Sequence, residues 1–250
     1  MESISLELLV FLVAVATLAG AVDAIAGGGG LITLPALLWA GLPPVQALAT
    51  NKLQGSFGTL SASLHFLARG HVLHRQLGPL VLATFSGALA GALMVQHLDN
   101  DLLRRVIPLL LILFALYFLF SPRISDEDAS ARMSLSWFSL ALCFPIGFYD
   151  GFFGPGTGSF FVMAIVALLG YNLTRATATT KVLNLTSNLS ALLCFALGGH
   201  VVWQLGVLLG LGQAAGAWLG AHLAIRHGAA VIRPVLVLIS MAVSIKLLLT

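Results

Sequence analysis

Residues 5 to 26 form a run that stays uncharged from Leu8 to Val22, and comparable apolar runs recur to the end of the chain. Runs of that length leave few options. A backbone in lipid has no water to bond, so each spanning segment must satisfy its own N–H and C=O groups, which a helix does locally. The 59% hydrophobic and 8% charged composition, with mean hydropathy +1.02, lies far from that of a soluble domain. Long continuous runs, in place of ten-residue alternating ones, argue for helices and against a β-barrel. The expected class is therefore all-α, a polytopic helical membrane protein whose first partner is lipid. The net charge of +3 is spread over short loops. No basic run is long enough to track a phosphate backbone, so no nucleic-acid partner is expected. The N-terminus lacks the basic region of a cleavable signal, so the first run is expected to be a retained helix.

The first run ends in Asp23-Ala-Ile-Ala-Gly27-Gly-Gly-Gly30. Glycine costs about 1 kcal/mol per interior helix position, so the helix is expected to break there. Leu31 to Gly41 is then too short to cross a ~30 Å core at 1.5 Å per residue. Pro43-Pro44 are expected to stop it. Val45 to Ala68, Leu77 to about Gln96, and Leu102 to Phe120 read as further spans, with a basic loop (Arg69, His71, His74, Arg75) before the second of them. Ser121 to Ser134 is the one long hydrophilic stretch. It divides the chain into a first half, residues 1–121, a linker, 122–134, and a second half, 135–250.

The second half repeats the first. Asp23 aligns with Asp150 and Gly27 with Gly154; after a two-residue slip, Ala47-Leu-Ala-Thr-Asn-Lys aligns with Ala176-Thr-Ala-Thr-Thr-Lys, and Gly70-His-Val with Gly199-His-Val. Gly87 and Gly91 match Gly216 and Gly220, and Pro108 and Pro234 fall near the start of each last span. The expected architecture is two tandem repeats, about eight full transmembrane helices and two short broken half-helices. If each short run counts as a traverse, the halves are inverted, and Arg69, Arg75, Arg123, Arg132, Arg175, Arg226 and Arg233 share the cytoplasmic side, with Arg104 and Arg105 as exceptions. The alternative count splits them, so the positive-inside rule favours inversion.

Lys52 and Lys181 are the strongest functional signal, because a lysine within a spanning segment costs roughly 2.5 to 3.5 kcal/mol on insertion scales. Two readings stand. The lysines line a polar cavity and attract an anion, beside Thr50, Asn51, Thr179, Thr180 and Asn184; or each pairs with the aspartate of its own copy, or snorkels to an interface. Glycine breaks before short helices aim N–H groups and a positive dipole end at the membrane middle, as transporters hold anions, with Gly29, Gly30, Gly156, Thr157 and Ser159 near the donors. The other reading of those glycines is tight helix packing, which Gly87, Gly91, Gly216 and Gly220 suit better. Asp23 and Asp150 are either proton carriers, making protons a coupling partner, or helix-end residues.

Other chemistry has little support. Gly154-Pro-Gly-Thr-Gly158 has neither the preceding strand nor the lysine of a nucleotide-binding loop, and no HExxH-like spacing marks a metal or hydrolytic centre. No cofactor and no metal are expected, and no enzyme activity. His71 and His200 read as interface residues. Cys143 and Cys194 read as small hydrophobes, the four tryptophans as boundary anchors or packing, and the glycosylation-like triplets at Asn172, Asn184 and Asn188 as chance matches.

The pattern Ala26-Gly-Gly-Gly-Gly-Leu-Ile-Thr-Leu-Pro35, then Ala47-Leu-Ala-Thr-Asn-Lys52, then Gly151-Phe-Phe-Gly-Pro-Gly-Thr-Gly158 with Ala178-Thr-Thr-Lys181, resembles the TauE/SafE family of bacterial and archaeal permeases. The resemblance covers nearly the whole chain. It implies a secondary transporter of the prokaryotic cytoplasmic membrane, carrying a small sulfur-containing anion such as sulfite, sulfoacetate or a related organosulfur compound. A passive anion channel of the same architecture is the competing expectation. Thr180 stands where the first copy has Asn51, so the half-sites differ chemically.

Overall fold

A computed structural model describes residues 5–70, 74–120 and 129–227. His71, the linker positions Arg123, Asp126, Glu127 and Asp128, and the last span with Arg233 and Pro234 lie outside the described residues, as do the side chains of Arg75, His222, Arg226 and His227. The described residues are helical with short connections and no strand.

Helix α1 (Leu6–Ala26) starts on Ser5, whose side chain accepts from the Leu8 N–H, and ends at Gly27, where φ is +76° and the N–H bonds back to the Asp23 carbonyl. That left-handed turn is the conformation glycine adopts without steric cost. Helix α2 (Gly30–Trp39) has ten residues, about 15 Å, and is buried from Leu31 to Leu37. It ends at Trp39, before Gly41 at φ +87°, and Pro44 opens α3 (Pro44–Ala68) instead of stopping α2. Proline suits a first helical turn because its missing N–H has no partner there anyway. Helix α4 (His74–Gln96) takes in His74 and Arg75, which are helical and not part of a loop, and α5 (Asn100–Phe120) carries Pro108 inside it.

In the second half, α6 (Leu135–Phe138) runs through a π-turn, Ser139–Cys143, into α7 (Phe144–Phe152). Helix α8 (Thr157–Ala164) is short like α2 and also finishes in a π-turn, Ile165–Leu169. Asn172 caps α9 (Leu173–Leu197) by accepting from the Arg175 N–H at 2.9 Å, and α10 (Trp203–His227) follows. Among the described residues, four segments combine spanning length with sufficient apolarity: Leu6–Ala24, Leu77–Gln96, Leu135–Phe152 and Leu173–Leu197. Helices α3, α5 and α10, at 25, 21 and 25 residues, are of similar length.

The strongest packing is between halves: α1 on α10, α4 on α7, and α3 and α4 on α9, with α3 also on α10. Glycine makes the first two possible. A Cβ at Gly216 or Gly220 would collide with the α1 backbone at Thr17 or Ala21, and one at Gly87 or Gly91 with the α7 backbone at Phe144 or Phe148. Close backbone approach of this kind substitutes for the hydrophobic drive that lipid does not supply.

These contacts fix directions. Thr17 meets Gly216 and Ala21 meets Gly220, so α1 and α10 run parallel; Leu53 meets Gly206, Phe57 meets Gly210, and Ser61 bonds Ala214, so α3 and α10 do too. Helices α1 and α3 therefore point the same way, and residues 27–43, with α2, must carry the chain back between them. Phe85 meets Ser190 and Gln96 meets Cys194, making α4 and α9 parallel. Gly55 lies against Asn188 while Phe66 clusters with Ala178, so α3 and α9 run in opposite directions.

Candidate functional site

The two glycine breaks meet. A Cβ on Gly27 would stand 3.0 Å from the Gly158 backbone, and one on Gly30 3.2 Å from Pro155. Around this contact the buried polar residues of α3 and α9 converge with the ends of α1 and α7.

The lysines pair crosswise. Lys52 on α3 donates to Asp150 Oδ1 on α7 at 2.8 Å, and Lys181 on α9 donates to Asp23 Oδ2 on α1 at 3.0 Å as well as to the Asp23 main-chain carbonyl. Each lysine thus finds the aspartate of the other half, not of its own copy. Lys52 is 2% and Lys181 1% exposed, so neither snorkels. A charge at that depth is tolerated when paired and bonded, and Asp150 is held further by the hydroxyls of Thr157, at 3.0 Å, and Ser187. The four charges cancel.

Beside them lies a cavity of about 40 Å³ lined by residues of both halves. One water needs about 10–15 Å³ by this measure, so the space has the size of about three waters or one small solute. Of the residues singled out in the sequence, Asp23, Gly30, Asn51, Lys52, Asp150, Thr157 and Asn184 line it. Lys181, Gly29, Thr50, Gly156, Ser159 and Thr180 do not. Gly29 gives its N–H to Asp23 Oδ1 at 3.4 Å, and Thr157 and Ser159 give theirs to the Gly154 and Gly156 carbonyls, so these donors close locally. Thr50 accepts from the Val202 N–H at 3.3 Å, and Thr179 donates to the Arg175 carbonyl at 2.9 Å, tying their hydroxyls to the scaffold.

The mismatch between copies has a structural counterpart. Asn51 Oδ1 accepts from the Thr33 hydroxyl at 2.6 Å, whereas the buried Thr180 hydroxyl has no hydrogen-bond partner. In the register that matches Asp23 to Asp150, Thr33 corresponds to Phe160, which offers no side-chain polar atom.

Several lining residues escaped the sequence reading. Gln213 on α10 bonds Gln54 at 2.8 Å across the α3–α10 contact and reaches the cavity, and Asn188 donates to Thr59 at 3.5 Å. The cost of an amide in an apolar segment was the available signal for Asn188. For Gln213 it was the same, and in both cases the first-half counterpart, Thr59 or Thr84, is not an amide and hides the match. Among the described residues no group of three or more His, Cys, Asp or Glu side chains could hold a metal ion.

The profile of the family described as Sulfite exporter TauE/SafE matches residues 12–247. The chain is similar to a protein of Sinorhizobium sp named "Probable membrane transporter protein ORF9", 48% identical over 99% of this chain and 95% of that protein. It is similar to "Probable membrane transporter protein YfcA" of Escherichia coli strain K12, 47% identical over 94% and 87% of the two chains. A Haemophilus influenzae "Probable membrane transporter protein" is 45% identical over 98% and 96%. No solved structure matches the chain.

Proposed function

The chain belongs to the sulfite exporter TauE/SafE family and is a multi-pass membrane transporter, and on that premise we propose that it is a secondary carrier that holds one small sulfur-containing anion, such as sulfite, in the cavity between its two halves and exposes it alternately to either side. The observation that carries this reading is the pair of buried lysines, each neutralised by an aspartate of the other half, beside a small polar cavity. Lysine inside a membrane helix is expensive, and a role in solute binding accounts for the cost. Opposed directions of α3 and α9 support inverted repeats, the arrangement in which one half rocks against the other about a site at their interface. A space of about 40 Å³ bordered by the Lys52–Asp150 ion pair favours a carrier over an open channel.

Because the four charges cancel, an entering anion leaves an excess negative charge beside two carboxylates. A proton taken up at Asp150 would offset it. The test is sulfite flux into proteoliposomes. Lys52→Met is expected to weaken the apparent affinity at least about tenfold, roughly 1.4 kcal/mol; an unchanged half-saturation concentration would refute the site. Asp150→Asn is expected to abolish acceleration by a pH gradient, and full retention would remove protons from the mechanism.

A further inference from the structure

The two lysines resemble each other in sequence and not in place. Lys52 and its partner Asp150 both line the cavity, whereas on the other side only Asp23 does, with Lys181 behind it. Lys181 is also the more fully tied, donating to both the carboxylate and the main-chain carbonyl of Asp23, two bonds to one residue that anchor the end of α1 just before the glycine turn. The walls differ in the same sense. In the register that matches Lys52 to Lys181, Gly55 corresponds to Asn184 and Thr59 to Asn188, so the amides at these positions come from the second half. Asn184 lines the cavity at 6% exposure, and its side-chain oxygen has no partner. The N–H groups of that amide, and not the oxygen, are what it can offer an anion.

Resting on the proposed anion cavity, we infer that the site is asymmetric: the anion is gripped by Lys52 from the first half and Asn184 from the second, with Asp150 the carboxylate it displaces, while the Lys181–Asp23 pair is a fixed strut that positions the α1 end. Specificity then resides in Lys52, Asn184 and the side chains next to them, and the matching lysine of the second half serves architecture.

Double substitutions separate the roles, because removing both members of a buried pair leaves no orphan charge whereas removing one does. Sulfite is the probe, with saturable uptake by the full-length protein in proteoliposomes and thermal unfolding in detergent as readouts. Lys52→Met with Asp150→Asn is expected to raise the half-saturation concentration at least about tenfold, and Lys181→Met with Asp23→Asn less than about threefold, while the latter pair shifts thermal unfolding. Equal weakening by both pairs would overturn the asymmetry and leave the cavity as the site; no weakening by either would overturn the cavity itself. Where a double variant does not fold, Asn184→Leu decides, since it alters the wall without breaking either ion pair: about tenfold weakening is expected, and unchanged affinity overturns the assignment.

Discussion

At the scale of single residues, the chemistry depends on which side chains are paired and which are not. Asn51 spends its oxygen on Thr33, while its counterpart Thr180 has a buried hydroxyl with nothing to bond. Asn51→Thr would shorten the side chain and lose the 2.6 Å bond, and is expected to cost about 0.5–1.5 kcal/mol, since the Thr33 hydroxyl keeps the Gly29 carbonyl, at 3.3 Å, as an acceptor. Thermal unfolding of the purified protein checks this, and a shift in the ranking of competing anions in an uptake assay would tie the position to substrate choice. That Asn51, Lys52, Thr180 and Lys181 stand out as polar groups in helices was legible from the sequence, since polar groups in apolar runs are costly wherever they point, and all four are buried. Their partners were not legible. A repeat alignment pairs Lys52 with Lys181 and Asp23 with Asp150, but it carries no information on whether a lysine meets the aspartate of its own copy or of the other.

At the scale of elements, the glycine positions do two different jobs. Gly27 turns the chain at positive φ and lies against the other break, while Gly87, Gly91, Gly216 and Gly220 let helices from opposite halves touch backbone to backbone. Gly216→Val would drive its side chain into the Thr17 carbonyl and force α1 from α10. A loss of about 1–3 kcal/mol or more is expected, seen as a lowered unfolding temperature, because overpacking a rigid contact has no cheap relief. The helix spans of the first half were readable to within a few residues because apolar length and glycine or proline punctuation act locally. The start of α3 was misjudged at Pro44 because proline both ends one helix and begins another, and only the surrounding chain decides which.

At the scale of the whole molecule, the parallel course of α1, α3 and α10 makes the short segment through α2 a return path. The inverted reading therefore places the α3–α4 connection and the start of α9 on one face of the membrane and Gly199 on the other. Single cysteines at Arg69 and Arg175 are expected to react with an impermeant thiol reagent from the cytoplasmic side, and one at Gly199 from the opposite side, in a background lacking Cys143 and Cys194. Labelling of Arg69 and Arg175 positions from opposite sides would contradict the inversion. From sequence, this orientation could be argued only through the distribution of arginines; the contacts add direction because they state which residue of one helix lies beside which of another.

A carrier differs from a channel in that its loaded site must return before it turns over again. The most direct test is counterflow of sulfite in proteoliposomes containing the full-length protein. Excess unlabelled sulfite inside is expected to drive a transient accumulation of labelled sulfite above its outside concentration, and Lys52→Met is expected to abolish that overshoot. Entry of label that only equilibrates, rising linearly with outside concentration and unaffected by Lys52→Met, would contradict the account.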